Sequence, residues 1–88
     1  MTQPAVTVYV SDWCPYCQRA KGLLTGKQLT FTEINIEDDE KFREEMIARS
    51  YRHTVPQIFI GDKHVGGCDD LFALDRSGEL DRLIQGAG

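Results

Sequence analysis

A chain of 88 residues has room for one hydrophobic core, at the small end of what folds without staples, and 41% hydrophobic with 27% charged residues is a globular composition. The formal net charge of −4 is carried by clusters such as Glu37-Asp38-Asp39-Glu40 and Asp69-Asp70, with no block of Lys and Arg, which argues against a nucleic-acid partner. Met1 to Ala5 has no basic segment leading into a long apolar one, and no apolar run elsewhere approaches membrane-spanning length, so the expectation is one domain over residues 1–88, off the membrane and in the cytoplasm.

Val6 to Val10 is β-branched and apolar enough for a strand buried on both faces, after which Ser11-Asp12-Trp13 turns the chain toward a helix. The spacing of Tyr16, Ala20, Leu23 and Leu24 predicts that helix over Pro15 to Thr25. Pro15 suits its first turn, where the missing N–H has no intrahelical partner to lose, and Gly26 suits a left-handed terminus. Alternation from Phe31 to Ile36 predicts a second strand, and Asp38 or Asp39 can cap a second helix that turns Phe42, Met46 and Ile47 inward. Glu45 and Arg49 stand at ion-pair spacing on it. Gln57 to Ile60 and Lys63 to Val65 flank Gly61-Asp62, the signature of a hairpin. Beyond Gly66-Gly67, Asp69 or Asp70 can start a helix with Leu71 and Leu74, and Leu80, Leu83 and Ile84 mark a last helical segment.

That order gives a parallel strand pair through a βαβ crossover and an antiparallel hairpin beside it. The predicted fold class is α/β, a thioredoxin-like four-stranded mixed sheet flanked by helices.

Chemistry enters at Cys14-Pro15-Tyr16-Cys17. Three cysteines are an odd number, and a reducing compartment does not keep structural disulfides, so the pair reads as redox-cycling or metal-binding. The thiolate is the attacking species, and Cys14 falls at a helix N-terminus, where unpaired N–H groups and the macrodipole favour negative charge. Cys17 shares a stripe with Ala20 and Leu24, faces inward and suits the resolving role. Half a zinc site completed by Cys68, His53 or His64 is the competing reading, but no second C-x-x-C and no H-x3-5-H spacing supports it. A C-x-x-C at a strand-to-helix junction inside a βαβ pattern points to redox cycling.

Cys14-Pro15-Tyr16-Cys17, Thr54-Val55-Pro56 and Gly66-Gly67-Cys68-Asp69-Asp70, in that order and spacing, closely resemble the dithiol glutaredoxins, above all the small bacterial ones. Arg43-Glu44-Glu45-Met46-Ile47 also looks like the family's second helix, so the resemblance covers nearly the whole chain. It implies a glutathione-dependent disulfide oxidoreductase in which Cys14 attacks and Cys17 resolves. Pro56 would be the family's cis-proline, presenting the neighbouring backbone of Val55 to an extended peptide. Glutathione is such a peptide, and the resemblance places it against Tyr16, Arg52, Thr54, Val55, Pro56, Gly67, Cys68 and Asp69, with its γ-glutamyl end at the helix start near Asp69. Asp70 would serve the helix.

The resemblance further implies glutathione as co-substrate with no tightly bound cofactor and no metal. Electrons would come indirectly from glutathione reductase, and clients would be disulfide-containing or glutathionylated proteins, ribonucleotide reductase among the candidates. A monomer is the default. Many glutaredoxins carry a lysine three residues before the first cysteine; here Ser11 stands there, and Arg52 is the candidate to compensate. Trp13 is either a platform for a protein substrate or packed over the first helix. His53 and His64 receive no role, and the Cys68 side chain reads as a small buried residue. Two other activities stay open: a redoxin reduced directly by thioredoxin reductase, and an iron-sulfur carrier ligated by Cys14 and glutathione.

Overall fold

In the computed structural model, which describes residues 4–85, the chain alternates as β1 (Val6–Val10), α1 (Pro15–Gly26), β2 (Thr32–Asn35), α2 (Glu40–Ser50), β3 (Gln57–Ile60), β4 (Lys63–Gly66), α3 (Cys68–Ser77) and α4 (Glu79–Ile84). The four strands form one sheet in the order β2-β1-β3-β4. β1 pairs with β2 in parallel and with β3 antiparallel, and β3 pairs with β4 antiparallel, which is the thioredoxin-like arrangement expected of the element order.

β1 is an interior strand, and its alternation fills both faces of the sheet. Val6, Val8 and Val10 join Ile58 and Ile60 under α1, α3 and α4, where Cys17, Ala20, Leu24, Leu71 and Leu80 are buried. Tyr9 points to the opposite face and is buried with Phe59, Ile36 and Met46 of α2. The apolar spacing of α1 is therefore the means by which the helix start is held against the end of β1.

Three local expectations change. Gly26 is the last residue of α1 and is not left-handed; Lys27 caps the helix, and Gln28 takes φ +61°. The N–H groups of Gln28 and Leu29 donate to the carbonyls of Thr25 and Leu24 at 2.9 and 3.0 Å, and Leu29 packs on the core cluster that contains Leu24. This closing pattern needs an apolar residue just beyond the left-handed one, and Leu29 supplies it two residues after the position Gly26 would select. Glu45 and Arg49 form no ion pair among the described residues: the Tyr9 hydroxyl donates to Glu45 Oε2, and Arg49 Nη1 donates to that hydroxyl at 2.9 Å. The Arg49 guanidinium also lies 4.1 Å from the Phe59 ring centroid. Burial first, and then the bond to Glu45, push the Tyr9 hydroxyl's pKa up against the opposing effect of Arg49.

The third change is at α3, which starts at Cys68 with Gly67 as its cap, one residue ahead of the expected Asp69 or Asp70. The Asp70 carboxylate reaches back instead and accepts the Gly67 N–H at 2.9 Å. Asp39, as expected, caps α2 and accepts from the Lys41 N–H at 3.0 Å.

Gly66 makes the turn into α3 with φ +120°, and a Cβ built there would lie 2.3 Å from Asp70 Oδ2 and 3.0 Å from Asp70 Cβ. Gly66→Ala therefore both strains the backbone and drives Asp70 off the Gly67 N–H. The expected cost is about 2 kcal/mol, read as a lower midpoint in urea unfolding with an unchanged slope; an unaltered midpoint would show that the turn has room.

Candidate active site

Ser11, Asp12 and Trp13 carry the chain from β1 to α1 in a tight turn, with Trp13 at φ +55°. The turn is tied to β2 and the residues beyond it: the Asp12 N–H donates to Glu37 Oε2, and Asn35 Nδ2 donates to Asp12 Oδ1 at 2.8 Å. Cys14 follows in extended conformation as the cap of α1, and its Sγ accepts the Cys17 N–H at 3.1 Å. Pro15 occupies the first helical position, so the sulfur faces the helix end where backbone donors stabilise negative charge.

Cys17 is buried, and its thiol is pushed up to about 12, by burial first and then by the hydrogen bond and charge of Cys14; a backbone hydrogen bond from Ser11 and the charge of Lys21 oppose this. All three cysteines are free thiols. One thiol of the tetrad is thus half-exposed and held by a donor, and the other stays protonated inside.

Beside them lies a cleft of about 230 Å³ lined by Tyr16, Arg52, Thr54, Val55, Pro56, Gln57, Gly67, Cys68, Asp69 and Asp70. Every residue predicted to contact glutathione is in that lining. The Val55–Pro56 peptide bond is cis, as the resemblance implied. Gln57 and Asp70 were missed as lining residues. Gln57 Nε2 donates to the Thr54 carbonyl and hydroxyl at 3.0 and 3.2 Å, while its Oε1 lies 2.7 Å from His64 Nε2. The signal was a buried amide at the head of an otherwise apolar strand, which needs partners for all its polar atoms.

Across the cleft Arg52 Nη1 meets Asp70 Oδ2 at 3.3 Å. The Gly67 N–H first, and Arg52 after it, hold the Asp70 carboxyl below its usual pKa, while burial opposes them. Burial, followed by the charge of Arg52, lowers His64, with Asp70 opposing. Cys68 is buried, and burial pushes its thiol up. His53 is exposed and outside the cleft lining. Trp13 does not pack over α1: it is 98% exposed, on a backbone at φ +55°. With Cys14, Pro15 and Gln18 it bounds an apolar recess beside the sulfur. Among the described residues no three of His, Cys, Asp and Glu group in a way that could hold a metal ion, and no helix is long and apolar enough to cross a membrane.

A helix-capping cysteine with a buried partner three residues on, placed at the end of a central strand, defines a thioredoxin-fold thiol-disulfide oxidoreductase. Residues 6–65 match the glutaredoxin family model. The chain is 55% identical over 80 residues to "Glutaredoxin 3" of Escherichia coli strain K12, covering 91% of this chain and 96% of that one. The solution structure of glutaredoxin from Brucella melitensis superposes with a TM-score of 0.86 at 48% identity, covering 100% of this chain and 96% of that one. A crystal structure of a buckwheat glutaredoxin-glutathione complex superposes with a TM-score of 0.85 at 28% identity, covering 96% and 78%. The chain belongs to the glutaredoxin family, whose members are thiol-disulfide oxidoreductases that typically depend on glutathione.

The difference between the thiols sets the labelling pattern. Brief treatment of the native protein with iodoacetamide near neutral pH should add one carbamidomethyl group, at Cys14, with Cys17 and Cys68 reacting only after unfolding. Peptide mass mapping checks this, and early labelling of Cys68 would contradict its burial. Asp70 gives a second expectation. Its folded pKa is depressed, so its contribution to stability is present above the unfolded pKa of about 3.9 and is lost as pH falls through the lower folded value. Asp70→Asn should therefore reduce stability at neutral pH and flatten the acid limb of a stability-versus-pH curve; an unchanged limb would assign acid sensitivity elsewhere.

Proposed function

We propose that Cys14 is the nucleophile and Cys17 the resolving thiol of a glutathione-dependent reaction that reduces protein disulfides and glutathione mixed disulfides. The observation that carries this is the shared location of the cleft residues Tyr16, Arg52, Thr54, Val55, Pro56, Gly67, Cys68 and Asp69 next to the Cys14 cap.

With a glutathionylated client, the Cys14 thiolate attacks the glutathione sulfur, the client thiolate leaves and takes up a proton, and a Cys14-glutathione disulfide forms. A second glutathione, as its thiolate, attacks the bound glutathione sulfur, restores Cys14 and leaves as glutathione disulfide. With a protein disulfide, Cys14 forms a mixed disulfide to the client and frees one client thiol. Cys17 then gives up its proton and attacks the Cys14 sulfur, which frees the second client thiol and leaves a Cys14-Cys17 disulfide for two glutathiones to reduce. Glutathione reductase recycles the product, so it acts through glutathione alone.

In the cleft, the backbone of Val55 offers strand-like hydrogen bonds to the ligand, and the Cys68 and Asp69 N–H groups at the start of α3 receive its γ-glutamyl carboxylate, the Gly67 N–H being held by Asp70. Asp69 accepts from its ammonium group, and Arg52 takes the opposite carboxylate. The three free cysteines fit a reducing cytoplasm, a monomer suffices for the chemistry, and the physiological client is a matter for capture by a Cys17→Ser trap.

The test is NADPH oxidation with glutathione, glutathione reductase and a glutathione mixed disulfide, run beside an assay coupled to thioredoxin reductase. Activity is expected in the first alone. Cys14→Ser should be inactive in every assay, whereas Cys17→Ser should keep turnover of the glutathione mixed disulfide and lose at least about tenfold on a protein disulfide. Full activity of Cys14→Ser would sink the assignment, and activity only with thioredoxin reductase would replace glutathione as reductant. A visible absorption band in anaerobically purified protein would instead support the iron-sulfur carrier.

A further inference from the structure

The side of Cys14 away from the cleft is also shaped. A groove of about 440 Å³ is lined there by Val10, Ser11, Asp12, Trp13, Gln18, Lys21, Glu33 and Asn35. It adjoins the apolar recess of Trp13, Cys14, Pro15 and Gln18 through the shared residues Trp13 and Gln18. Two features of this surface are unexplained by the fold or by the glutathione cleft. Trp13 is 98% exposed at φ +55°, so a large indole is held in solvent by a backbone conformation that bulky residues rarely adopt. The polar rim beside it is acidic: Lys21 is neutralised by Glu33 at 2.8 Å, while Asp12 and its neighbour Glu37 meet no cation among the described residues.

We propose that Trp13 and this acidic rim form a docking surface for a cationic segment of a protein client, with a Lys or Arg side chain flanking the client's reactive cysteine seated over the indole and facing Asp12. The proposal rests on the reading of Cys14 as nucleophile and names the kind of client that site prefers. An indole face is the best aromatic partner for a cation, and the Asp12 carboxylate at its edge, which accepts from Asn35 but meets no cation among the described residues, adds attraction of the same sign. Because glutathione takes the cleft on the Tyr16 side, the client half of a mixed disulfide is left to the Trp13 side. An exposed aromatic next to a reactive atom is also the type of residue that anchors a transient interface.

The experiment uses Cys17→Ser protein in single-turnover transfer. Two short peptides, each glutathionylated at its one cysteine, carry Arg or Glu on both sides of that cysteine and are otherwise the same. The second-order rate constant for forming the Cys14-glutathione disulfide is followed by mass. The Arg peptide is expected to react about tenfold faster than the Glu peptide at low salt, with the ratio shrinking as salt rises. Adding Trp13→Ala and Asp12→Asn should bring the ratio to within about twofold, whereas Trp13→Phe should keep part of it. Equal rates for the two peptides, or a preference that survives Trp13→Ala with Asp12→Asn, would overturn the proposal. Glutathione-cysteine mixed disulfide serves as the reference substrate: failure to transfer from it would overturn the nucleophile assignment itself, while transfer from it without peptide preference would overturn the docking surface alone.

Discussion

The N–H of Cys17 donates to Cys14 Sγ at 3.1 Å because α1 begins one residue after Cys14, and the register of that helix is fixed by the stripe Cys17, Ala20 and Leu24 against the sheet. Rotating α1 to expose Cys17 would expose Ala20 and Leu24 with it. One packing constraint thus makes the first thiol accessible and the second buried. It also bears on the order of events. Two of the influences that hold the proton on Cys17, the hydrogen bond and the charge of Cys14, depend on Cys14 being a free thiol or thiolate. Once Cys14 is bound in a disulfide its charge is gone, and burial is left to be opposed by the Ser11 backbone and Lys21. Forming that disulfide therefore lessens the upward push on the Cys17 thiol, although burial, the largest influence, remains.

The cleft depends on β1 less directly. Tyr16 comes from α1, Thr54 to Gln57 from the entry to β3, and Gly67 to Asp70 from the junction of β4 and α3. Two polar links, one through buried Gln57 and one at the surface, keep these segments in place. Gln57 holds Thr54 from one side and contacts His64 of β4 on the other, so the bend before β3 is fixed to the neighbouring strand. Asp70 closes the start of α3 on Gly67 and reaches Arg52 across the opening. The walls are thereby assembled by side-chain amides and carboxylates where no strand ladder runs.

Much of this was legible in the sequence because it follows from local rules. The apolar run of β1, the Gly61-Asp62 hairpin and the cap by Asp39 each depend on a few neighbouring residues. The misreadings involve contacts that spacing does not carry. Gly26 looked like the left-handed residue that closes α1, a place Gln28 takes because Leu29 packs on the core; the partner of Glu45 and Arg49 is Tyr9, more than thirty residues away. Gly67 could cap α3 only because the Asp70 carboxylate turned back to it. The positive φ of Trp13 had no signal at all, since bulky residues avoid it. The cleft residues were reached by likeness to a family and not by periodicity, as they lie on three separate segments.

The Arg52–Asp70 pair shows how the cleft can be closed and yet receptive. Both side chains are about half exposed, so water screens their attraction and the pair contributes little to stability. Asp70 does not depend on it, because the Gly67 N–H is the larger influence on that carboxyl. The guanidinium is consequently free to exchange a single contact of 3.3 Å for a carboxylate that can meet it with two oxygens. An anion entering the cleft would leave Asp70 satisfied by the helix start and would gain a cation that Ser11, uncharged on the far side of Cys14, does not provide. The Arg52 charge and the helix that shapes the cleft are thus separable, and the first can move without disturbing the second.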